Sequence, residues 1–340
     1  MNVKNNPPTM DDVAKMAGVS RMTVSRALKP DTSVKLITRE RIKKVADELG
    51  YVLNSNASGF ASHKSGFVAV TIPSVNNANF ADTLTGLTDK LHAAGLQILL
   101  GYTNYSLEKE EQVIEQFLQR RPEAIVVTGG SHTKRCENLL KKSSIPVIEI
   151  WDQIKNPIDA CVGFSNATAA ALMVDHFVEQ GYKKIGFIGG DENRDTRGLD
   201  RRSGFIDRLN DHGLESHRLV SAGTPPVTVK AGGKSIQKML DKWPETEAVM
   251  CVSDLSAFGA ISHCIRSGIN VPDTLAIAGF GDYDISEVSN PTITTVNVSA
   301  NEIGVEAANL ILNRLMGKAL TVKKITPQLL IRESTIPTQT

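Results

Sequence analysis

A chain of 340 residues, 41% hydrophobic and 22% charged, is long enough for two or three domains and has the make-up of a globular protein with a sizeable core. Its formal net charge of +1 excludes a uniformly basic nucleic-acid binder. No stretch approaches the roughly 18 apolar residues of a membrane span, so no membrane partner is expected.

The charge is unevenly placed. Residues 1–64 carry 7 Lys and 4 Arg against 4 Asp and 2 Glu, whereas the other 276 residues carry 27 basic and 31 acidic side chains. A small basic head on a mildly acidic body is the asymmetry expected when only the head meets a polyanion. The opening residues, MNVKNNPPTM, are polar and proline-bearing and lack the apolar stretch of a signal peptide, which points to the cytoplasm. Cys136, Cys161, Cys251 and Cys264 are far apart and form no CxxC pair, so they read as reduced, buried thiols rather than a disulfide or zinc framework. No histidine grouping has metal-ligand spacing, and no metal or cofactor is expected.

The head reads as helices. Thr9 followed by Asp12 is a capping-box pattern that opens a short helix through Ala17. Gly18 supplies a permissive turn, and Ser20 caps a second helix that turns Arg21 and Met22 outward and keeps Val24, Ala27 and Leu28 for packing. In LITRERIKKVADELGY, Ile42, Val45, Ala46 and Leu49 share one face of a third helix that stops at Gly50. Helix, short turn, helix and packing helix is the helix-turn-helix plan, whose second helix enters the DNA major groove. A small helical bundle with a solvated basic face fits the same pattern.

The body alternates short apolar runs with amphipathic segments. Strands are expected at FVAVTIP (67–73), LQILLGY (96–102), AIVVTGG (124–130), IPVIEIW (145–151), KIGFIGG (184–190), EAVMCVS (247–253) and LAIAGFG (275–281). Helices at 80–94, 107–120, 166–180, 200–212 and 255–267 separate them. This alternation predicts an α/β fold of parallel sheets covered on both faces, in two layers, with a ligand at the carboxyl ends of strands or between lobes. No glycine-rich phosphate motif, catalytic triad or carboxylate pair stands out, so no enzyme is expected.

MDDVAKMAGVSRMTVSRAL followed by GYVLNSNASGFAS resembles the head of the lactose/galactose repressor family of bacterial transcription regulators. VPDTLAIAGFGDYDISEVSNPTITTVNVSANEIGVEAANLI is similar to that family's C-terminal lobe, and the resemblance spans roughly residues 9–335. It implies a helix-turn-helix head (1–53), a hinge helix and linker (54–66), and a core of two lobes like periplasmic binding proteins (67–340). The lobes are expected at 67–162 plus 294–322 and at 163–293 plus 323–340. It also implies near-palindromic operator DNA, a small-molecule effector and a homodimer or higher assembly as partners.

Carried over residue by residue, Arg21 and Met22 occupy the recognition-helix positions that choose the operator, and Arg26 matches a nearly fixed arginine. An arginine can take guanine O6 and N7 together, worth about 1–3 kcal/mol of discrimination, whereas Met22 offers apolar contact to a thymine methyl. Ser20, Thr23, Ser25 and Ser33 suit phosphate contacts, which position without specifying; Thr23 and Ser25 equally fit plain exposed helix residues. Asn54, Ala57 and Phe60 fall on the hinge, which in the family folds into a minor-groove helix on DNA and wedges a leucine between base pairs. Here Phe60 stands in the leucine's place, Leu53 replaces a usual proline, and Gly59 lowers helicity by about 1 kcal/mol relative to Ala.

For the effector the resemblance implies Asn79, Phe80, Trp151, Asp152, Arg201, Ser253, Asp254 and Asn297. Two departures concern charge. Gly281 replaces an aspartate that usually takes ligand hydroxyls, and Arg197 adds a guanidinium one turn from Arg201. Both favour an anionic ligand. The strings IPVIEIWD, DACVGFSN and AIAGFGDYDI are most similar to gluconate and idonate repressors, so a hexonate is expected, with Asp152 and Asp254 accepting hydroxyls. A neutral sugar, a purine-like ligand or a corepressor remains an alternative. A sugar-binding protein would account for the core alone; a ligand-responsive repressor accounts for head, hinge and core together.

Overall fold

The structure, a computed structural model, describes residues 7–29, 33–53, 65–191 and 193–337. The chain divides into two compact units, residues 1–65 and 66–340.

In the first unit, α1 (Met10–Ala17), α2 (Arg21–Ala27) and α3 (Leu36–Leu49) form a three-helix cluster. Thr9 and Asp12 make the expected reciprocal capping box, and Ser20 accepts the Thr23 N–H at 3.2 Å. Gly18 and Gly50 end their helices in the left-handed region, at φ +64° and +68°, where a side chain is disfavoured. Val13, Ala17, Val24, Ala27, Ile42 and Val45 are buried together. The helical period therefore assigns the apolar stripe to one small core.

In the second unit, β1 (Phe67–Ile72), β2 (Gln97–Tyr102), β3 (Ala124–Thr128), β4 (Val147–Ile150) and β5 (Ala160–Gly163) belong to one sheet of order β2-β1-β3-β4-β5. All its pairs are parallel, with Val68 opposite both Ile98 and Ala124. Val68, Val70, Ala124 and Val126 point to one face, and Ala69, Ile125 and Val127 to the other. Both faces are buried, which is why these strands read as unbroken apolar runs rather than alternating ones. The helices of this lobe are α4 (Ala78–Ala93), α5 (Leu107–Gln119) and α6 (Lys134–Lys142).

After β5 the chain enters the second lobe, with α7 (Asn166–Glu179), β6 (Ile185–Gly189), α8 (Thr196–Asp211), β7 (Leu219–Ser221), α9 (Val229–Lys242), β8 (Ala248–Cys251), α10 (Asp254–Arg266), β9 (Ala276–Ala278) and the short α11 (Ile285–Val288). Its parallel sheet runs β7-β6-β8-β9. The chain then returns through β10 (Thr295–Asn297) to α12 (Ala300–Leu315), which packs on α4 of the first lobe. Next, β11 (Lys323–Lys324) pairs parallel with Val162 and Gly163 of β5, and β12 (Gln328–Leu330) pairs antiparallel with β10.

The pairing of β11 with β5 corrects the expected lobe boundaries. Gly163, Lys323 and Lys324 complete the first lobe's sheet rather than the second's. These two-to-four-residue strands carry too few residues for a period to show. Helix α8 also starts earlier than expected, because Asp195 caps it by accepting the Gly198 N–H at 3.0 Å.

Each sheet reverses its strand order once, between β1 and β3 and between β6 and β8. Crevices at the carboxyl ends of strands open at such reversals. Among the described residues, no helix is long and apolar enough to cross a membrane. All four cysteines are buried and unpaired, as the spacing predicts.

Candidate functional sites: the helical head and the interlobe cleft

On the head, Ser20, Arg21, Met22, Arg26 and Ser33 are exposed, and Thr23 and Ser25 are half-buried. Met22 leaves 64% of its surface open at the start of the seven-residue α2, while Val24 and Ala27 on the opposite face are fully buried. The Arg21 guanidinium lies 3.6 Å from Asp11, both well exposed, an ion pair that water screens and a base edge can displace. The Ser20 hydroxyl caps α2 and lies 2.9 Å from the Thr23 hydroxyl, so these two support the helix before they can touch a phosphate. Asn54, Ala57 and Phe60 lie outside the described residues.

In the core, the loops that follow the strands converge on a cleft lined by aromatic, amide and charged side chains from both lobes. Of the expected effector residues, Asn79, Phe80, Trp151, Arg197, Arg201 and Ser253 line it. Trp151 has φ +76°, a left-handed backbone that few bulky residues adopt. Its N–H donates to the Val162 carbonyl at 3.0 Å and its own carbonyl accepts Asn166 Nδ2 at 3.2 Å. Opposite it, a Cβ on Gly163 would stand 2.3 Å from the Asp152 carbonyl oxygen. Only glycine lets the Trp151–Asp152 backbone lie this close to β5. The indole then meets Phe80 and Phe164 edge-on, with ring centroids 5.3 and 5.9 Å away, and Phe164 meets Phe280 at 6.3 Å. An aromatic floor thus runs from one lobe to the other.

Two guanidinium groups face this floor. Arg197 lies 5.8 Å from the Phe80 ring centroid and Arg201 lies 4.6 Å from that of Phe280, positions that favour cation–π attraction. Arg201 Nη1 donates to Asn166 Oδ1 at 2.6 Å, and Nη2 lies 3.9 Å from Asp195. Burial pushes the Arg201 guanidinium below its usual range, against the pull of Asp195. Two buried donors, Arg201 Nε and Trp151 Nε1, have no acceptor among the described residues.

Four expected residues stand behind the lining. Asp152 accepts Asn166 Nδ2 at 2.9 Å and the Gly130 N–H at 3.3 Å; burial raises its pKa, opposed by Arg197. Its oxygens therefore brace the lining, each with acceptor capacity left. Asp254 is fully buried and accepts the Tyr283 N–H at 2.7 Å and the Thr295 hydroxyl at 2.6 Å. The expectation that Asp254 takes ligand hydroxyls is corrected, since it is fully buried and does not line the cleft. Asn297 donates to Asp282 at 2.7 Å and accepts the Ser299 N–H at 2.6 Å, fixing the crossover between lobes. Gly281 has φ +120°, and a Cβ there would meet Asn79 Nδ2 and Tyr283 Cε1 at 2.6 Å each. The position is closed to an aspartate by backbone geometry and space, independently of any ligand.

The sequence reading missed Asn76, Asn77, Tyr105, Asp195 and Tyr283, all of which line the cleft. The Tyr283 hydroxyl donates to Asn77 Oδ1 at 2.9 Å and so ties the second lobe to the first. Burial raises the Tyr105 phenol to about 12 and the Tyr283 phenol further still, keeping both neutral donors. Asp195 carried a signal, an aspartate three residues before a helical glycine; the loop residues carried none, because sheet order alone brings them together.

Residues 9–54 match the family described as bacterial regulatory proteins, lacI family, and residues 174–335 match the periplasmic binding protein-like domain. The HTH-type transcriptional regulator GntR of Pseudomonas aeruginosa is 32% identical over 330 residues, 96% of this chain and 96% of the relative. The HTH-type transcriptional regulator IdnR of Escherichia coli is 30% identical over 92% of this chain and 93% of its own length. A solved lacI-family regulator from Silicibacter pomeroyi superposes with a TM-score of 0.91 at 32% identity, covering 97% of this chain and 99% of that one.

Proposed function

The chain belongs to the lacI family of bacterial regulatory proteins, which are DNA-binding transcriptional regulators, and from that premise we propose that it is a repressor released from its operator by a six-carbon sugar acid. The observation that carries the ligand class is the donor excess of the cleft. Trp151 Nε1 and Arg201 Nε are buried without acceptors among the described residues, and Arg197 and Arg201 line the cleft beside Asp195, with Asp152 and Asp200 close enough to act on both. An unpaired buried donor is costly, on the order of 1–3 kcal/mol, so the cleft favours a ligand rich in lone pairs. A hexonate supplies a carboxylate for the guanidinium groups and hydroxyls for Asn77, Asn79 and Ser253. The regulators named GntR and IdnR among the relatives support the same class.

On the head, Arg21 and Met22 read base edges with Arg26 one turn later on the same helix, the surrounding hydroxyls hold phosphates, and a dimer meets a near-palindromic site in the cytoplasm. The ligand shifts the regulator only by its differential affinity for the DNA-competent and released states. Calorimetry with gluconate and glucose, paired with gel shifts on upstream DNA, tests this reading. Gluconate is expected to bind more tightly and to release the DNA; tighter binding of glucose would sink the acid-ligand reading.

A further inference from the structure

On the α5/α6 side of the first lobe, three side chains of unlike chemistry converge away from the aromatic floor. Glu110 lies on α5, His132 in the loop after β3, and Cys136 on α6. One ligating atom from each lies within 4.8 Å of the other two. His132 is 3% exposed and Glu110 6% at the side chain, and Cys136 is fully buried. His132 Nδ1 is 2.7 Å from Glu110 Oε2. The other ring nitrogen turns toward Glu149 on β4, 3.5 Å from its Oε1, with no hydrogen bond made at that distance. Glu149 is itself fixed by the Ile158 N–H at 2.6 Å.

We propose that Glu110, His132 and Cys136 bind a divalent cation of the zinc class, with Glu149 positioning His132. A borderline-soft ion takes sulfur, nitrogen and carboxylate oxygen together, whereas magnesium or calcium would reject the thiolate. A metal-bound histidine usually gives its second ring N–H to a carboxylate, the place Glu149 holds. On binding, the ion replaces the proton shared by His132 and Glu110, and Cys136 releases its thiol proton to solvent. Donors around one tetrahedral ion lie within about 4 Å of each other, so the cluster needs side-chain adjustment and no refolding. Glu110 also borders a second interlobe chamber beside Thr128 and Ser131. A histidine merely bridging two glutamates would leave Cys136 as a core-packing thiol beside them.

Cobalt(II) on the untagged full-length protein distinguishes the two. The wild type is expected to retain one equivalent after desalting and to show a thiolate-to-cobalt charge-transfer band in the near ultraviolet. Cys136→Ser is expected to lose the band, Glu110→Gln to bind cobalt at least ten-fold more weakly with the fold intact by circular dichroism, and Cys161→Ser to keep the band. No retained cobalt in folded wild type, or a band that survives Cys136→Ser, would overturn the site.

Discussion

Asp254 shows how a residue of the right type beside a cleft is diverted from it. Burial raises its carboxyl to about 6 from an ordinary 3.8, against the hydrogen bonds from Thr295 and the Tyr283 backbone. The folded state therefore holds this proton more tightly than the unfolded chain does. The stability it brings is complete below the unfolded value and is lost as pH rises through the folded one. Asp254→Asn mimics the protonated form and keeps an acceptor for the Tyr283 N–H. Denaturation profiles from about pH 4 to about pH 7 are expected to fall with pH in the wild type relative to the variant, with a gap on the order of 2–3 kcal/mol at neutral pH. Effector affinity is expected to change less than about three-fold, because the carboxylate faces protein donors rather than the cleft.

At the scale of elements, both sites depend on helix starts. Ser20 opens α2, and Ser253 opens α10 through a capping box with Ser256. In each case a hydroxyl satisfies a backbone N–H that the helix cannot. The seven residues of α2 are too few to hold a helix by propensity alone, so its cap and the burial of Val24 and Ala27 set it. Ser20→Ala is expected to destabilise the head by about 1 kcal/mol and to weaken binding to all DNA sequences alike, read by thermal melts and gel shifts. Arg21→Ala, in contrast, is expected to leave the melt unchanged and to relax base preference at a symmetric pair of positions on randomised operators.

The whole molecule separates two kinds of electrostatics. Lys15, Arg21, Arg26, Lys29, Lys35 and Arg41 of the head lie at the surface, where counterions compete, whereas Arg197 and Arg201 are largely buried. Operator affinity is therefore expected to fall steeply with salt, with a log–log slope of about −0.9 for each phosphate neutralised. Effector affinity is expected to fall far less, since screening acts chiefly on exposed charges. Fluorescence anisotropy for DNA and calorimetry for gluconate, at about 50 and about 200 mM salt, give both slopes on the same preparation.

The sequence by itself determined whatever repeats within one element. The 3.6-residue stripe and caps of the head, the apolar runs of seven strands and the buried thiols follow from local spacing and from the need to bury apolar surface. Phe80, Trp151 and Arg201 were legible through motif resemblance, at the ends of elements that were themselves legible. Only the tertiary structure decided the rest. Sheet order brought Asn77, Tyr105, Asp195 and Tyr283 to one cleft from four separate loops, and the crossover strands placed Lys323–Lys324 in the first lobe. It also turned Asp254 and Asn297 away from the cleft and left no room for a side chain at Gly281. The physical reason is that a loop residue's role depends on which lone pairs and donors meet it across the fold. Those partners lie up to hundreds of residues away, where no periodicity in the chain can signal them.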